Sequence, residues 1–263
     1  MRAACLCCLL ACLAAGDALV ERAELDPTQA VPLLLAGSAE LAAANGPDAR
    51  NLADRLDSLA RRIFLGGWRV AGRERLGFGT HAIAAGDTLS KIAVQAGTPY
   101  ELLIRLNPGL DPRRLGVGAR VAVLDVATVP LTIDIRLPIH RLLVWRGPVL
   151  VLACPMGIGT AKTPTPTGRT RLAIRARNIE WRDPATGRVH PHGSPGNHIG
   201  GYWFGFDPGP GHHFRSIGFH GWTAAPPEQW LEQAGSLGCL RLRQSDLADL
   251  YDLLRPGTII DIR

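Results

Sequence analysis

Beyond its N-terminal run, this chain has no apolar stretch long enough to cross a bilayer, which takes ~20 residues as a helix. Cysteine is nearly absent from the body of the protein. Of six cysteines, Cys5, Cys7, Cys8 and Cys12 crowd the first twelve residues, leaving only Cys154 and Cys239. That excludes a disulfide-stapled scaffold. The scattered histidines and the two remaining cysteines lack ligand spacing, so neither a zinc centre nor any other metal or cofactor is expected. The formal charge is +6, yet no basic block is interleaved with aromatics, which argues against nucleic acid as a partner. No segment recurs at a fixed period, which leaves no repeat array.

The first sixteen residues set the compartment. Met1-Arg2 is a short positive start, Ala3 to Ala15 is uncharged and apolar, and Ala14, Ala15 and Gly16 are small. This is the form of a secretory signal, so residues 1–16 are expected to direct export to the periplasm or cell envelope. Leu9-Leu10-Ala11-Cys12 is similar to a lipobox, in which Cys12 would carry lipid. Cleavage near Gly16 or Ala18 and retention of an uncleaved anchor are the other two outcomes, and two of the three would hold the N-terminus at a membrane. A basic exported protein suits an anionic wall polymer or membrane surface.

Residues 17–78 read as a helical segment. Leu52, Leu56, Leu59 and Ile63 recur at helical spacing between Arg50, Asp54, Asp57 and Arg61, and Gly66-Gly67 stops them. With a Leu/Ala-rich helix around Pro32 to Ala44 and a turn at Gly46-Pro47-Asp48, the expectation is a hairpin of two helices.

From His81 to Leu124 the pattern changes. Asp87 is placed to cap a helix with the apolar face Leu89, Ile92, Ala93 and Ala96, ended by Gly97. Thr98-Pro99-Tyr100-Glu101 reads as a capping box opening a second helix through Leu106, closed by Asn107-Pro108. Strands flank the pair, giving βααβ. His81-Ala82-Ile83-Ala84-Ala85-Gly86-Asp87-Thr88-Leu89 resembles the opening strand and Gly-Asp-Thr-Leu turn of a LysM domain, placed here at 79–125. The resemblance implies binding to glycan strands containing N-acetylglucosamine, with Gly86, Asp87, Thr88 and Asn107 as contacts.

About 135 residues follow Val126, enough for one domain at 126–263. Thr132 to Ile135, Arg141 to Trp145, Val149 to Ala153, Arg171 to Ile174 and Ile259 to Ile262 read as short strands, and Ser245 to Leu254 as a helix. The fold class is therefore α+β and multidomain, with a mostly β C-terminal part. The chemistry lies in Ser236-Leu237-Gly238-Cys239-Leu240-Arg241. Alone, Cys239 would read as a buried structural thiol. A nucleophilic cysteine needs a base to take its proton, and His220 in the pair His220-Gly221 lies upstream with eighteen residues between. Gly238 lets a carbonyl approach the backbone, where N–H groups could hold an oxyanion. Arg241 shares a face with Cys239 if the segment is extended, and suits either a substrate carboxylate or an internal ion pair. His190, His192, His198, His212 and His213 lie in a Gly/Pro-rich stretch and read as loop positions. Cys154, in an apolar run, reads as inert packing, although a bridge to Cys239 would be open to it in an oxidising compartment.

Fifteen residues separate His220 from Ser236, and this spacing with Gly-Cys and Arg241 resembles the L,D-transpeptidase catalytic domain. Leu237 departs from the pattern, standing where the family usually has a second His. Gly159 through Gly168, with its Thr-Pro repeats, and Asn197 to Phe206 are similar to two further family segments. The resemblance implies that Cys239 forms a thioester with a peptidoglycan stem tetrapeptide, that His220 moves the protons, and that Ser236, Gly221, Gly238 and Arg241 shape the turn, oxyanion or substrate sites. An amine acceptor would give a cross-link, water a carboxypeptidase, a protein amine wall attachment. A catalytic Cys239 is expected to outpace a free thiol with iodoacetamide in mild acid, and an inert one to mark a wall-binding protein.

Overall fold

A computed structural model describes residues 16–223 and 228–263. The expected signal, apart from Gly16, and the Cys12 lipobox lie outside the described residues. Two compact units emerge, one formed by residues up to 131 together with 143–153, the other by 132–142 together with 154–263.

The first unit begins with three helices, α1 (Gly16–Leu25), α2 (Ala30–Ala43) and α3 (Gly46–Phe64). The expected hairpin gains a third helix because the chain breaks at Asp26-Pro27. Asp26 accepts the Thr28 N–H at 3.1 Å, and Pro27 opens a short 3-10 turn. On α3 the expected stripe of Leu52, Leu56, Leu59 and Ile63 is buried. Each such side chain stabilises by roughly 1.5–3 kcal/mol relative to exposure. Gly37 on α2 permits the close approach of α3, since a Cβ there would meet Leu56 Cδ2 at 2.5 Å.

The βααβ region follows as β1 (Phe78–Ala82), α4 (Leu89–Gln95), α5 (Tyr100–Leu106) and β2 (Arg120–Leu124), with β1 and β2 antiparallel. Ile83, Leu89, Ile92, Ala93, Leu103, Val121 and Val123 make its core. Two capping expectations need correction. Thr88, not Asp87, caps α4 by accepting the Lys91 N–H at 3.2 Å. Thr98 does not cap α5, because its hydroxyl is spent on both backbone groups of Leu124, at 3.0 and 3.1 Å.

Next come β3 (Leu131–Arg136), β4 (Arg141–Arg146) and β5 (Val149–Pro155). Residues 143–153 of β4 and β5 group with the helices. Leu150 N–H donates to Ser38 Oγ at 3.0 Å and Ala153 N–H to Asp57 Oδ1 at 2.7 Å, while Arg61 Nη2 donates to the Ala153 carbonyl at 3.2 Å. Among the described residues β5 has β4 as its one strand neighbour, so these side chains supply what a second neighbour's backbone would.

The second unit adds β6 (Ile158–Gly159), β7 (Gly168–Arg177), β8 (Trp181–Arg182), β9 (Val189–His190), β10 (Tyr202–Phe206), β11 (Gly218–His220), β12 (Ala234–Ser236), β13 (Leu240–Arg241), α6 (Gln244–Leu253) and β14 (Ile259–Ile262). Its sheet runs in the order β13-β11-β10-β7-β14-β3. Alternation sets the faces. Ile133, Ile135, Ile260 and Ile262 point into the core, while Asp134 and Asp261, paired in register, turn outward to Arg263 and Arg169. α6 packs Leu247, Leu250 and Leu253 inward.

Candidate active site

Parallel pairing of β11 with β13 sets Phe219 against Leu240 and His220 against Arg241, which brings the predicted base beside the strand that Cys239 leads into. Cys239, the candidate nucleophile, sits on a tight turn. Ser236 Oγ accepts the Gly238 N–H at 3.1 Å and donates to the Cys239 carbonyl at 2.5 Å, closing four residues on one hydroxyl. Gly238 has φ +111°, a region that side chains avoid, and a Cβ there would lie 3.1 Å from Ile217 Cδ1. Its N–H donates to Ser236 Oγ, so of the backbone N–H groups near Gly238 and Cys239 expected to face an oxyanion, this one is already paired.

His220 is buried, with its ring stacked on Trp203 at 5.8 Å between centroids. Its Nδ1 lies 2.6 Å from the Gly221 carbonyl. A carbonyl only accepts, so Nδ1 carries the proton and Nε2 keeps its lone pair. Gly221 thus serves through its carbonyl. It also admits Gln244, whose Nε2 would be 1.6 Å from an added Cβ. Burial, aided by the Arg241 charge and opposed by the Gly221 carbonyl, lowers the His220 pKa to about 4. Burial pushes the Cys239 thiol up, against a backbone hydrogen bond from Gly218 and the attraction of Arg241. The resting pair is therefore neutral thiol and neutral imidazole. The thiol donates to the Ser216 carbonyl at 3.5 Å, and Ser216 holds a left-handed φ of 60°. A raised thiol argues against fast alkylation in mild acid, and the labelling rate decides between the two.

Arg241 lies 3.8 Å over the Trp222 ring, and its Nε is buried without a hydrogen-bond partner. Cys239, His220, Ser236 and Arg241 all line one cavity of about 790 Å³, whose other walls include Trp181, Trp203, Trp222, Ile217 and Leu237. Leu237 is 70% exposed at its edge. The tryptophans went unrecognised in the sequence, although Trp222 directly follows the His-Gly pair. Trp181, on the β8–β9 hairpin, meets the rings of His190, His198 and Trp222 at 5.6, 5.7 and 6.4 Å. Two of the histidines read as loop positions thus join an aromatic cluster. Cys154 is buried, and no disulfide joins it to Cys239.

The second predicted site divides. Gly86 turns at φ +82° with open space around it. Asp87 Oδ2 accepts the Ala84 N–H at 2.8 Å and faces His81 Nε2 at 3.1 Å, and the first of these contacts leads in holding its carboxyl below the usual range. Asn107 is placed differently from the expectation. Its Oδ1 accepts the Ala122 N–H at 2.7 Å and its Nδ2 donates to the Leu103 and Ala122 carbonyls at 2.8 Å each. Both amide protons are used inside the fold, so this side chain ties α5 to β2 and does not offer itself to glycan.

Residues 130–262 match the YkuD model, described as the L,D-transpeptidase catalytic domain, and residues 81–123 match the LysM domain. A Bacillus licheniformis protein bearing the L,D-transpeptidase name YkuD is 26% identical over 185 residues, 69% of this chain and 97% of that one. The Escherichia coli (strain K12) protein YcfS, also named as an L,D-transpeptidase, is 27% identical over 194 residues, 67% of this chain and 59% of its own length. A solved L,D-transpeptidase from Stackebrandtia nassauensis aligns over 88% of both chains at 18% identity with a TM-score of 0.39.

Proposed function

The chain belongs to the YkuD family of L,D-transpeptidases and carries a LysM domain, and from that premise we propose that Cys239 and His220 perform the acyl transfer on peptidoglycan stems. The observation that carries this reading is the convergence of the Cys239 thiol and an imidazole with a free Nε2 on one cavity. Cys239 Sγ attacks the carbonyl of the third-position diamino acid of a tetrapeptide stem. His220 Nε2 takes the thiol proton during attack, because neither group is charged beforehand. The tetrahedral oxyanion rests on the Cys239 N–H. Collapse breaks the bond to the terminal D-alanine, whose amine receives the proton from His220, and leaves a thioester. A stem amine then attacks, gives a proton to His220, and the thiolate departs to recover it.

Arg241 anchors a substrate carboxylate, its guanidinium carbon held over the Trp222 ring and its Nε without a hydrogen-bond partner. The LysM region, through the Gly86 to Thr88 turn, holds the enzyme on glycan and raises the local stem concentration. The two domains act on cell wall, which places the protein in the envelope or outside the cell; no helix among the described residues is long and apolar enough to cross a membrane. Export by the 1–16 signal, with the helical segment at 17–78, LysM at 79–125 and catalytic domain at 126–263, completes the reading. The same thioester resolved by water would give a carboxypeptidase.

Intact mass spectrometry tests it. Wild type incubated with tetrapeptide muropeptides should gain the stem mass minus D-alanine, and Cys239→Ala should gain nothing. A reduced wild type without adduct would point to a LysM-borne wall-binding protein, and a tripeptide product without cross-links to hydrolysis.

A further inference from the structure

The turn that presents Cys239 is not held by its own residues alone. The Ser236 carbonyl accepts two hydrogen bonds from the Thr-Pro loop, one from the Thr160 N–H at 3.1 Å and one from the Thr163 hydroxyl at 2.9 Å. The Thr163 N–H donates to Thr160 Oγ1 at 3.1 Å, and the two hydroxyls lie 2.8 Å apart. Counting protons fixes the direction. Thr163 spends its one hydroxyl proton on Ser236, so the Thr160 hydroxyl donates to Thr163, and the chain runs Thr160 to Thr163 to Ser236 with every proton used.

The loop is stiff at its other end. Pro164 and Pro166 fix φ, and the buried Thr165 accepts the Gly159 N–H at 3.0 Å while β6 pairs Gly159 with Ser236. It also reaches over the turn. The Pro164 and Thr163 carbonyls would stand 3.5 and 3.9 Å from a Cβ on Gly238.

The geometry points to Thr163 as a positioning residue for Cys239, acting through the Ser236 carbonyl and touching no substrate. This rests on the thioester reading. Ser236 ties itself to Gly238 and Cys239, so whatever fixes Ser236 fixes the nucleophile and its N–H together; Thr163 is the side chain that does so from outside the turn. Reaction geometry tolerates little drift, since a misplacement of about 1 Å can cost on the order of a hundredfold in rate.

The test is the rate of adduct formation on the full chain at saturating tetrapeptide, compared among wild type, Thr163→Val and Thr163→Ser. Valine keeps the shape and loses the hydroxyl; its maximal acylation rate should fall ~10–100-fold with the half-saturating donor concentration little changed. Serine restores the donor and should recover most of the rate. Equal rates in wild type and Thr163→Val overturn the inference, as do equal losses in the valine and serine variants, which would mark a packing role. An unreactive wild type sinks the thioester reading instead, so the two failures are told apart. Should Thr163→Val not fold, Thr160→Val removes the hydroxyl that orients the Thr163 side chain and accepts its N–H, leaves the Thr163 donor in place and should slow acylation less; an unchanged rate there overturns the inference.

Discussion

Two polar clusters in this molecule are built from similar groups and finished in opposite ways. Around Asn107 the side-chain amide meets a backbone N–H and two backbone carbonyls, and both its protons are placed. Around Cys239 the pairing stops short: Arg241 Nε is buried without a partner, and the thiol is held neutral by burial. Saturated polar groups hold a fold, and groups left short of partners in a cavity hold chemistry. Side-chain type alone did not separate them, since Asn107 reads equally well as a ligand contact.

Replacing the nucleophile should break the contrast most completely. Cys239→Ala should lose all stem adduct in the mass spectrum while keeping the melting temperature near that of wild type. His220→Ala should slow acylation by ~10²–10⁴-fold, the usual worth of a placed base, read as single-turnover adduct formation. Resting wild type should react with iodoacetamide more slowly than free cysteine at neutral pH, because burial raises the thiol. Faster reaction would mean an ionised resting pair.

On the saturated side, Asn107→Ala should destabilise by ~1–3 kcal/mol in denaturant unfolding, leaving a buried N–H and carbonyls unpaired. Glycan retention should fall only where the fold is lost. If retention fell in a folded variant, Asn107 would be a ligand contact after all. His220 also links stability to pH. Its folded pKa is depressed from 6.5 to about 4, so the unfolded chain binds the extra proton between those values. The contribution is whole above 6.5 and is lost as pH falls toward 4, and His220→Gln should flatten that part of the melting curve. Ser38→Ala, which removes one bond to Leu150, should cost about 1 kcal/mol and leave acylation unchanged.

Cys239 and His220 were legible as a candidate pair because their spacing resembles that of a known family, and the two short helices because apolar periodicity and Gly97 mark them. Asp87 and Thr88 were not separable as caps, since both residue types serve and only the backbone angles at Thr88 decide. Thr98 looked like a capping box because its true partner, Leu124, lies 26 residues away. The β8–β9 hairpin has strands of two residues, too short for alternation to show. Trp181 and Trp222 come together through tertiary structure that no local pattern encodes. Asp26-Pro27 carries the helix-start signal that separates α1 from α2.

The side chains that finish β5 have a kinetic consequence. Ser38, Asp57 and Arg61 meet their strand partners across 112, 96 and 92 residues of sequence. A refolding chain must close a loop containing the whole βααβ region before these bonds form, and such distant contacts form late. Until then Leu150 and Ala153 present open backbone groups to any neighbouring chain. Recovery from denaturant should therefore depend on protein concentration far more than the finished fold, with its strand already covered, would lead one to expect.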